Sequence, residues 1–190
     1  KRSGGLRRIM APYQNLSHIQ EWIKHNILDQ IIQPDYVTAF VKGRNILTNA
    51  KIHEGKKYVL KIDLKNFFES INVRRVCAAF KWMGYEGNVA SCLAKLCTAK
   101  IDEFKYNLLE EQSEIQELFE ELFQKEEPFL IQGAPTSPGL ANIVCAKLDR
   151  RIKRLSQEMG FNYSRYADDL TFSADDLASL PKIGLISNIV

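Results

Sequence analysis

The sequence is poor in the side chains that build most metal and small-molecule sites. Its 190 residues hold three histidines (His18, His25, His53) and four cysteines (Cys77, Cys92, Cys97, Cys145). No two cysteines form a CxxC and the histidines are scattered. That disfavours zinc and leaves the cysteines as reduced helix-packing residues. Long apolar runs are also missing, since none approaches the ~20 residues of a membrane-spanning helix. The N-terminal Lys1-Arg2-Ser3-Gly4-Gly5 is not a secretory signal, so the expected location is the cytoplasm. The chain lacks an initiating Met and ends on an apolar run, Ile183 to Val190, which reads as a fragment of a longer protein.

Apolar residues make up 45% and charged residues 26%, the composition of a globular chain with a real core, as one domain or two subdomains. The net charge of only +3 hides an uneven distribution. Residues 102–127 contain ten acids and two lysines, so this segment carries −8 and the remainder +11. The body is basic enough to bind nucleic acid.

Taken in order, residues 1–10 alternate around Gly4-Gly5 as a β-hairpin bearing Lys1, Arg2, Arg7 and Arg8. Ser17 is the expected cap of a helix with Ile19, Ile23, Ile27 and Ile31 on its core face, ended by Pro34. Lys42 and Arg44, around Gly43, are either solvated charges or phosphate contacts. Ile46 to His53 has a helical pattern. Tyr58 to Asp63 alternates as a strand, with Tyr58, Leu60 and Ile62 on one face and Val59, Lys61 and Asp63 on the other. Helices follow from about Asn72 and from about Glu86 to Cys97. In the acidic segment, Leu109, Ile115, Leu118, Phe119, Leu122 and Phe123 repeat at helical spacing, the mark of a solvated amphipathic helix or a partner surface. Phe129-Leu130-Ile131 reads as a short strand. The turn-rich Gln132-Gly133-Ala134-Pro135-Thr136-Ser137-Pro138 then leads into a long helix, Gly139 to Gly160.

The chemistry concentrates at Tyr166-Ala167-Asp168-Asp169, between two alternating runs that form a hairpin and leave adjacent carboxylates at its tip. Such a pair is most often a solvated turn, and close carboxylates repel unless a cation compensates them. What raises its significance is order: an acid at the end of a strand (Asp63), then the Gln132 loop and helix, then the tight hairpin. Two-metal phosphoryl transfer needs carboxylates from separate strands to converge on ions about 4 Å apart.

These stretches resemble the reverse transcriptases, most closely the bacterial retron type. The resemblance is carried by LRRIMAP (6–12), FVKGRNILTNAKIH (40–53), VLKIDLKNFFESI (59–71), IQGAPTSPGLANIVCAKLD (131–149) and YSRYADDLTFS (163–173). Asn49 to His53 also fits the NAxxH element associated with retron enzymes. The resemblance implies an α+β fold of fingers and palm, with an antiparallel palm sheet, packed helices and no thumb. Fingers would occupy 1–57 with part of the region before the Gln132 loop. The palm would occupy 58–190 and carry an acidic helical insertion at about 102–127.

By the same resemblance Asp63, Asp168 and Asp169 are the catalytic acids, with Asp63 and Asp168 the principal ligands of two Mg²⁺ ions and the Leu64 carbonyl a further ligand. Arg7, Lys1, Phe68, Gln132 and Gly133 are assigned to the nucleotide, Phe68 as the steric gate against ribonucleotides. Tyr166 is placed beside the primer end, with Arg44 and Lys42 on primer or template. The implied function is RNA-directed DNA polymerisation: a cognate structured RNA is copied from a 2′-hydroxyl primer into branched RNA–DNA, in phage defence. The implied partners are that RNA, the DNA product, dNTPs, and a protein effector or a second copy. Two rival readings are another bacterial reverse transcriptase, intron-encoded or phage-exclusion, and an RNA-binding module that no longer polymerises. The sequence stops before any thumb, and its acidic segment is longer than the family's usual connection.

Overall fold

A computed structural model of the chain describes residues 9–100 and 127–187. The expected 1–10 hairpin with Lys1 and Arg7, and the acidic helix up to residue 126, lie outside the described residues. The elements are α1 (Gln14–Asn26), a 3₁₀ turn (Leu28–Gln30), α2 (Ile46–Lys51), β1 (Tyr58–Asp63), α3 (Val73–Trp82), α4 (Gly87–Cys97), α5 (Ser137–Met159), β2 (Asn162–Tyr166), β3 (Asp169–Ala174), a second 3₁₀ turn (Leu177–Ser179) and α6 (Ile183–Ser187). Helices with a small antiparallel sheet make this an α+β fold. Among the described residues no helix is long and apolar enough to cross a membrane.

The chain divides into two compact units that interleave in sequence. One comprises 1–21 and 68–137, the other 22–67 and 138–190. The units interleave because the sheet takes strands from both sides of the 68–137 stretch.

In the first unit, α3 and α4 bury Val76, Ala79, Phe80, Ala90, Ala94 and Cys97. The Asn72 side chain caps α3 by accepting the Arg75 N–H, and its amide donates to Glu127 at 2.7 Å. The strand expected at Phe129–Ile131 is reduced to single bridges from Phe129 to Asn72 and Ala99, because its neighbours are loop ends rather than strands. Phe129, Ile131 and Ala134 form a small core with Met10 and Ala99.

The second unit holds the sheet, ordered β1-β3-β2. Leu170, Phe172 and Ala174 alternate onto one face with Tyr163, Leu60 and Ile62, and pack against Ile152, Leu148 and Leu155 of α5. Among the described residues strand β1 lies at the edge of the sheet with one open face, and Val59, Lys61 and Asp63 are exposed on it. Helix α1 begins at Gln14, three residues ahead of the expected Ser17 cap. Ile23 is buried, but Ile19 is 44% exposed and does not join the core. Helix α2 starts at a full capping box, the Asn45 side chain accepting from Thr48 N–H while the Thr48 hydroxyl accepts from Asn45 N–H.

Candidate active site

Register decides what the acids do. Asp63, the last residue of β1, lies opposite Asp169, the first of β3. The Leu64 N–H donates to the Asp168 carbonyl at 3.0 Å, so Asp63 and Asp169 flank the bond as a non-hydrogen-bonded pair. In such pairs the Cα atoms stand about 4.5 Å apart with side chains close, and like charges there destabilise the sheet. The Lys61 ammonium, on the same face, comes to 3.8 Å from Asp169 and offsets part of that repulsion.

Asp168 occupies the two-residue turn itself. Tyr166 pairs with Asp169, leaving Ala167 and Asp168 as the connection, and Ala167 adopts φ +58. Two-residue hairpins need left-handed φ at their first central position, where glycine is the usual choice. Here an alanine holds that conformation, at a cost of about 1–2 kcal/mol, so its surroundings must enforce it.

One support lies on the same sheet face as the acids, farther along the strands. His53 bridges the strands, with Nδ1 2.7 Å from the Ser173 hydroxyl and Nε2 2.7 Å from the Ser164 hydroxyl. Ser164 donates to Asn49 Oδ1 at 2.7 Å. Its proton is thereby used, so Ser164 accepts from His53 Nε2–H. With the ring neutral, the form its burial favours, Nδ1 accepts from Ser173, which fixes one tautomer. Burial pushes its pKa below the ordinary value, and the Lys61 charge acts in the same direction. The Thr38 hydroxyl, which also reaches Asn49 at 2.7 Å, ties in residues 36–38. Their backbone pairs beside β2 through Thr38 N–H to the Arg165 carbonyl and Arg165 N–H to the Tyr36 carbonyl.

The other support lies on the α5 face. Arg165 is fully buried and forks onto Asp149, Nε to Oδ1 at 2.9 Å and Nη2 to Oδ2 at 2.8 Å. Nη1 donates to Asn142 Oδ1 at 3.1 Å and to the Ala167 carbonyl at 3.0 Å. The Tyr163 hydroxyl completes Asp149 at 2.7 Å. Burial alone would favour a neutral Arg165, but the hydrogen bonds and charge of Asp149 outweigh it and hold the guanidinium charged. Burial, reinforced by the Asp149 charge, pushes the Tyr163 phenol well above its usual range.

The structure thus brings Asp63, Leu64, Tyr166, Asp168 and Asp169 to one end of one sheet. Arg44 does not join them as a free phosphate contact. Its guanidinium donates to the carbonyls of Gln33, Pro34 and Val37 and to Asp35, and so holds the 33–37 turn. Lys42 is exposed. Phe68, Gln132 and Gly133 belong to the first unit. There Phe68 is half-buried while its neighbour Phe67, in the second unit, is the core aromatic. Gly133 has φ +114, and a Cβ on it would meet the Met10 carbonyl oxygen at 2.6 Å, so glycine is required where Met10 N–H bonds the Gln132 carbonyl.

Reading the sequence missed Arg165, Asp149 and Asn142, and marked His53 only as a scattered histidine that ends the NAxxH element. The alternation of β2 held a signal for one of them. Arg165 falls on the same face as Tyr163 and Leu170, and a charge there is buried and must be paired.

Among the described residues no three His, Cys, Asp or Glu side chains stand as a preformed metal cluster. The donor set at the sheet end is nonetheless suited to Mg²⁺, which takes one or two carboxylates and completes its shell with water and substrate phosphates rather than an all-protein cage. Asp63 facing Asp169, with the Asp168 turn beside them, supplies such oxygens.

Comparison with known proteins agrees with this arrangement. Residues 1–185 match the family described as reverse transcriptase (RNA-dependent DNA polymerase). The chain is 39% identical over 176 residues to the retron Mx162 reverse transcriptase of Myxococcus xanthus, covering 91% of this chain and 34% of that protein. It is 39% identical over 185 residues to the retron Mx65 enzyme of the same organism, covering 96% and 41%. Against the retron Ec86 reverse transcriptase of Escherichia coli it is 36% identical over 177 residues, covering 93% and 47%. The chain therefore spans between a third and a half of the length of these relatives. A match over nearly its whole extent, with the acids of two strands meeting at one sheet end, places this chain in the reverse transcriptase family.

Proposed function

We propose that the chain is the fingers and palm portion of a retron-type RNA-directed DNA polymerase. It would copy a cognate structured RNA into DNA from a 2′-hydroxyl within that RNA, leaving a branched product, in a system of phage defence. The observation that carries the polymerase reading is the β1–β3 register, which sets Asp63 opposite Asp169 with Asp168 in the adjoining turn. The retron type is supported by the named relatives and by Asn49 and His53, the two ends of the NAxxH element, inside the network that packs on the acid-bearing face of that hairpin.

In this reading Asp63 and Asp168 hold two Mg²⁺ ions, with Asp169 as third acid and the Leu64 carbonyl as a further oxygen. When bound, such ions lower the pKa of the primer hydroxyl and stabilise charge on the leaving pyrophosphate. The protein's part is to present the carboxylates without reorganisation. The two buried networks do this by gripping the hairpin from both faces, and Lys61 moderates the repulsion between the acids until substrate arrives. Lys42 is exposed and free to approach a nucleic-acid backbone, whereas Arg44 is left out because its donors are engaged. The nucleotide assignments of Arg7, Lys1, Phe68, Gln132 and Gly133 rest on motif position.

The test is DNA synthesis by the full-length protein with primed RNA, Mg²⁺ and dNTPs. Wild type should extend the primer and Asp168→Asn should lose extension while melting normally. No synthesis by wild type, or equal synthesis by both, overturns the polymerase reading. RNA–DNA joined through a 2′-linkage, recovered from cells, separates the retron type from other bacterial reverse transcriptases.

A further inference from the structure

Arg165 is the largest fully buried side chain of the molecule's described part, and one of its bonds leaves the core for the turn that carries Asp168. We infer that Arg165 is a positioning residue for Asp168, with Asp149 as its anchor, acting through the Ala167 carbonyl. The inference rests on the polymerase reading proposed above.

The geometry is mechanical. A guanidinium is a flat fork, and two parallel bonds to Asp149 fix its plane and direction. Nη1 then has a fixed place, and from it one N–H reaches the Ala167 carbonyl. That carbonyl belongs to the peptide joining Ala167 to Asp168. Its orientation sets the path into Asp168, and so the direction in which the carboxylate leaves the backbone. Ala167 needs this hold because its φ of +58 is one an alanine adopts reluctantly. The fork itself is braced on every side: Tyr163 donates to Asp149, Asn142 accepts from Nη1 while donating to the Ala39 carbonyl, and the Phe67 ring lies 5.9 Å from the guanidinium carbon. A lysine at 165 would keep the charge facing Asp149. Its single ammonium cannot span both Asp149 oxygens and the Ala167 carbonyl in this geometry.

Arg165→Lys and Phe161→Leu in the full-length protein separate positioning from simple stability. Phe161→Leu removes the ring packed on Phe172 at 5.7 Å in the same core and leaves the fork and the turn intact. Arg165→Lys should lower kcat by roughly a hundredfold, the scale of a small misplacement at a reacting centre. It should leave the KM for dNTP within about twofold, the pattern of an interaction realised only in the transition state, and should raise the Mg²⁺ concentration needed for half-maximal rate. Without turnover or metal, amide exchange at Leu64, whose N–H closes on the Asp168 carbonyl, should quicken in Arg165→Lys and not in Phe161→Leu. Phe161→Leu should melt earlier yet keep wild-type kcat and Mg²⁺ dependence. Should Arg165→Lys fail to fold, Asp149→Asn decides, because its amide oxygen still accepts one bond of the fork while the other is lost. It should reproduce the same split. If kcat follows melting temperature across the variants, or Leu64 exchange is unchanged in them, the positioning role is wrong. If wild type itself makes no DNA while Leu64 exchange responds as expected, it is the polymerase reading that fails.

Discussion

Replacing His53 by leucine isolates the support on the acid-bearing face of the hairpin. The imidazole accepts from Ser173 and donates to Ser164, both fully buried, and no water-exposed route replaces either bond. Leucine ends both bonds and strands the Ser173 proton. A net ~1 kcal/mol for each bond, with about 1–3 kcal/mol for the stranded hydroxyl, puts the loss at about 3–5 kcal/mol. For a chain of this size that is a drop of roughly 6–20 °C in Tm. The pH dependence carries a second signature. In the folded protein His53 has a lowered pKa, so between that value and the unfolded value of about 6.5 the unfolded state binds more protons. Stability from the neutral imidazole is therefore complete above pH 6.5 and is lost as pH falls through the window below it. Thermal or urea melts of wild type and His53→Leu from pH 8 to pH 5 measure this as a difference in which other groups cancel. The gap between the two should be widest at pH 8 and narrow on acidification. A gap that stays constant with pH, or a leucine variant as stable as wild type, would refute the neutral bridging role.

Gly133→Ala should lose about 2 kcal/mol or more, because its Cβ meets the Met10 carbonyl at 2.6 Å and Ile9 Cγ2 at 2.9 Å on a strained φ; a melting curve within about 1 °C of wild type counts against that close approach. Phe68→Ala should admit ribonucleotides in primer extension with matched dNTP and rNTP. If the preference for dNTP is unaltered, Phe68 is not the gate.

The helices and strands were legible where their signals were local. The helix beginning near Asn72, the helical pattern from Ile46 and the two arms of the hairpin around Tyr166–Asp169 each depend on residues a few positions apart, and each forms there. Ile19 was misread because helical spacing identifies a face without saying whether anything covers it. The Phe129 strand failed for the related reason that a strand exists only with a partner, and its partners offer single bridges. Arg44 stayed open between a solvated charge and a phosphate contact because nothing in its own neighbourhood reveals that three carbonyls of a turn about ten residues earlier converge on it.

The acids themselves were readable because they are chemically conspicuous and ordered along the chain: Asp63 at a strand end, then the Gln132 loop, then Tyr166-Ala167-Asp168-Asp169. By itself the sequence determined which oxygens are available and that a tight turn presents two of them. Only the tertiary structure decided that Asp169 faces Asp63 across a non-hydrogen-bonded pair while Asp168 sits in the turn, because antiparallel register is set by the packing of whole strands. It alone decided that the turn is held through Arg165 and Asp149, sixteen residues apart, and through His53 and Ser164, 111 apart. Those partners share no local pattern, and they meet because buried polar groups must find one another once the strands close over them.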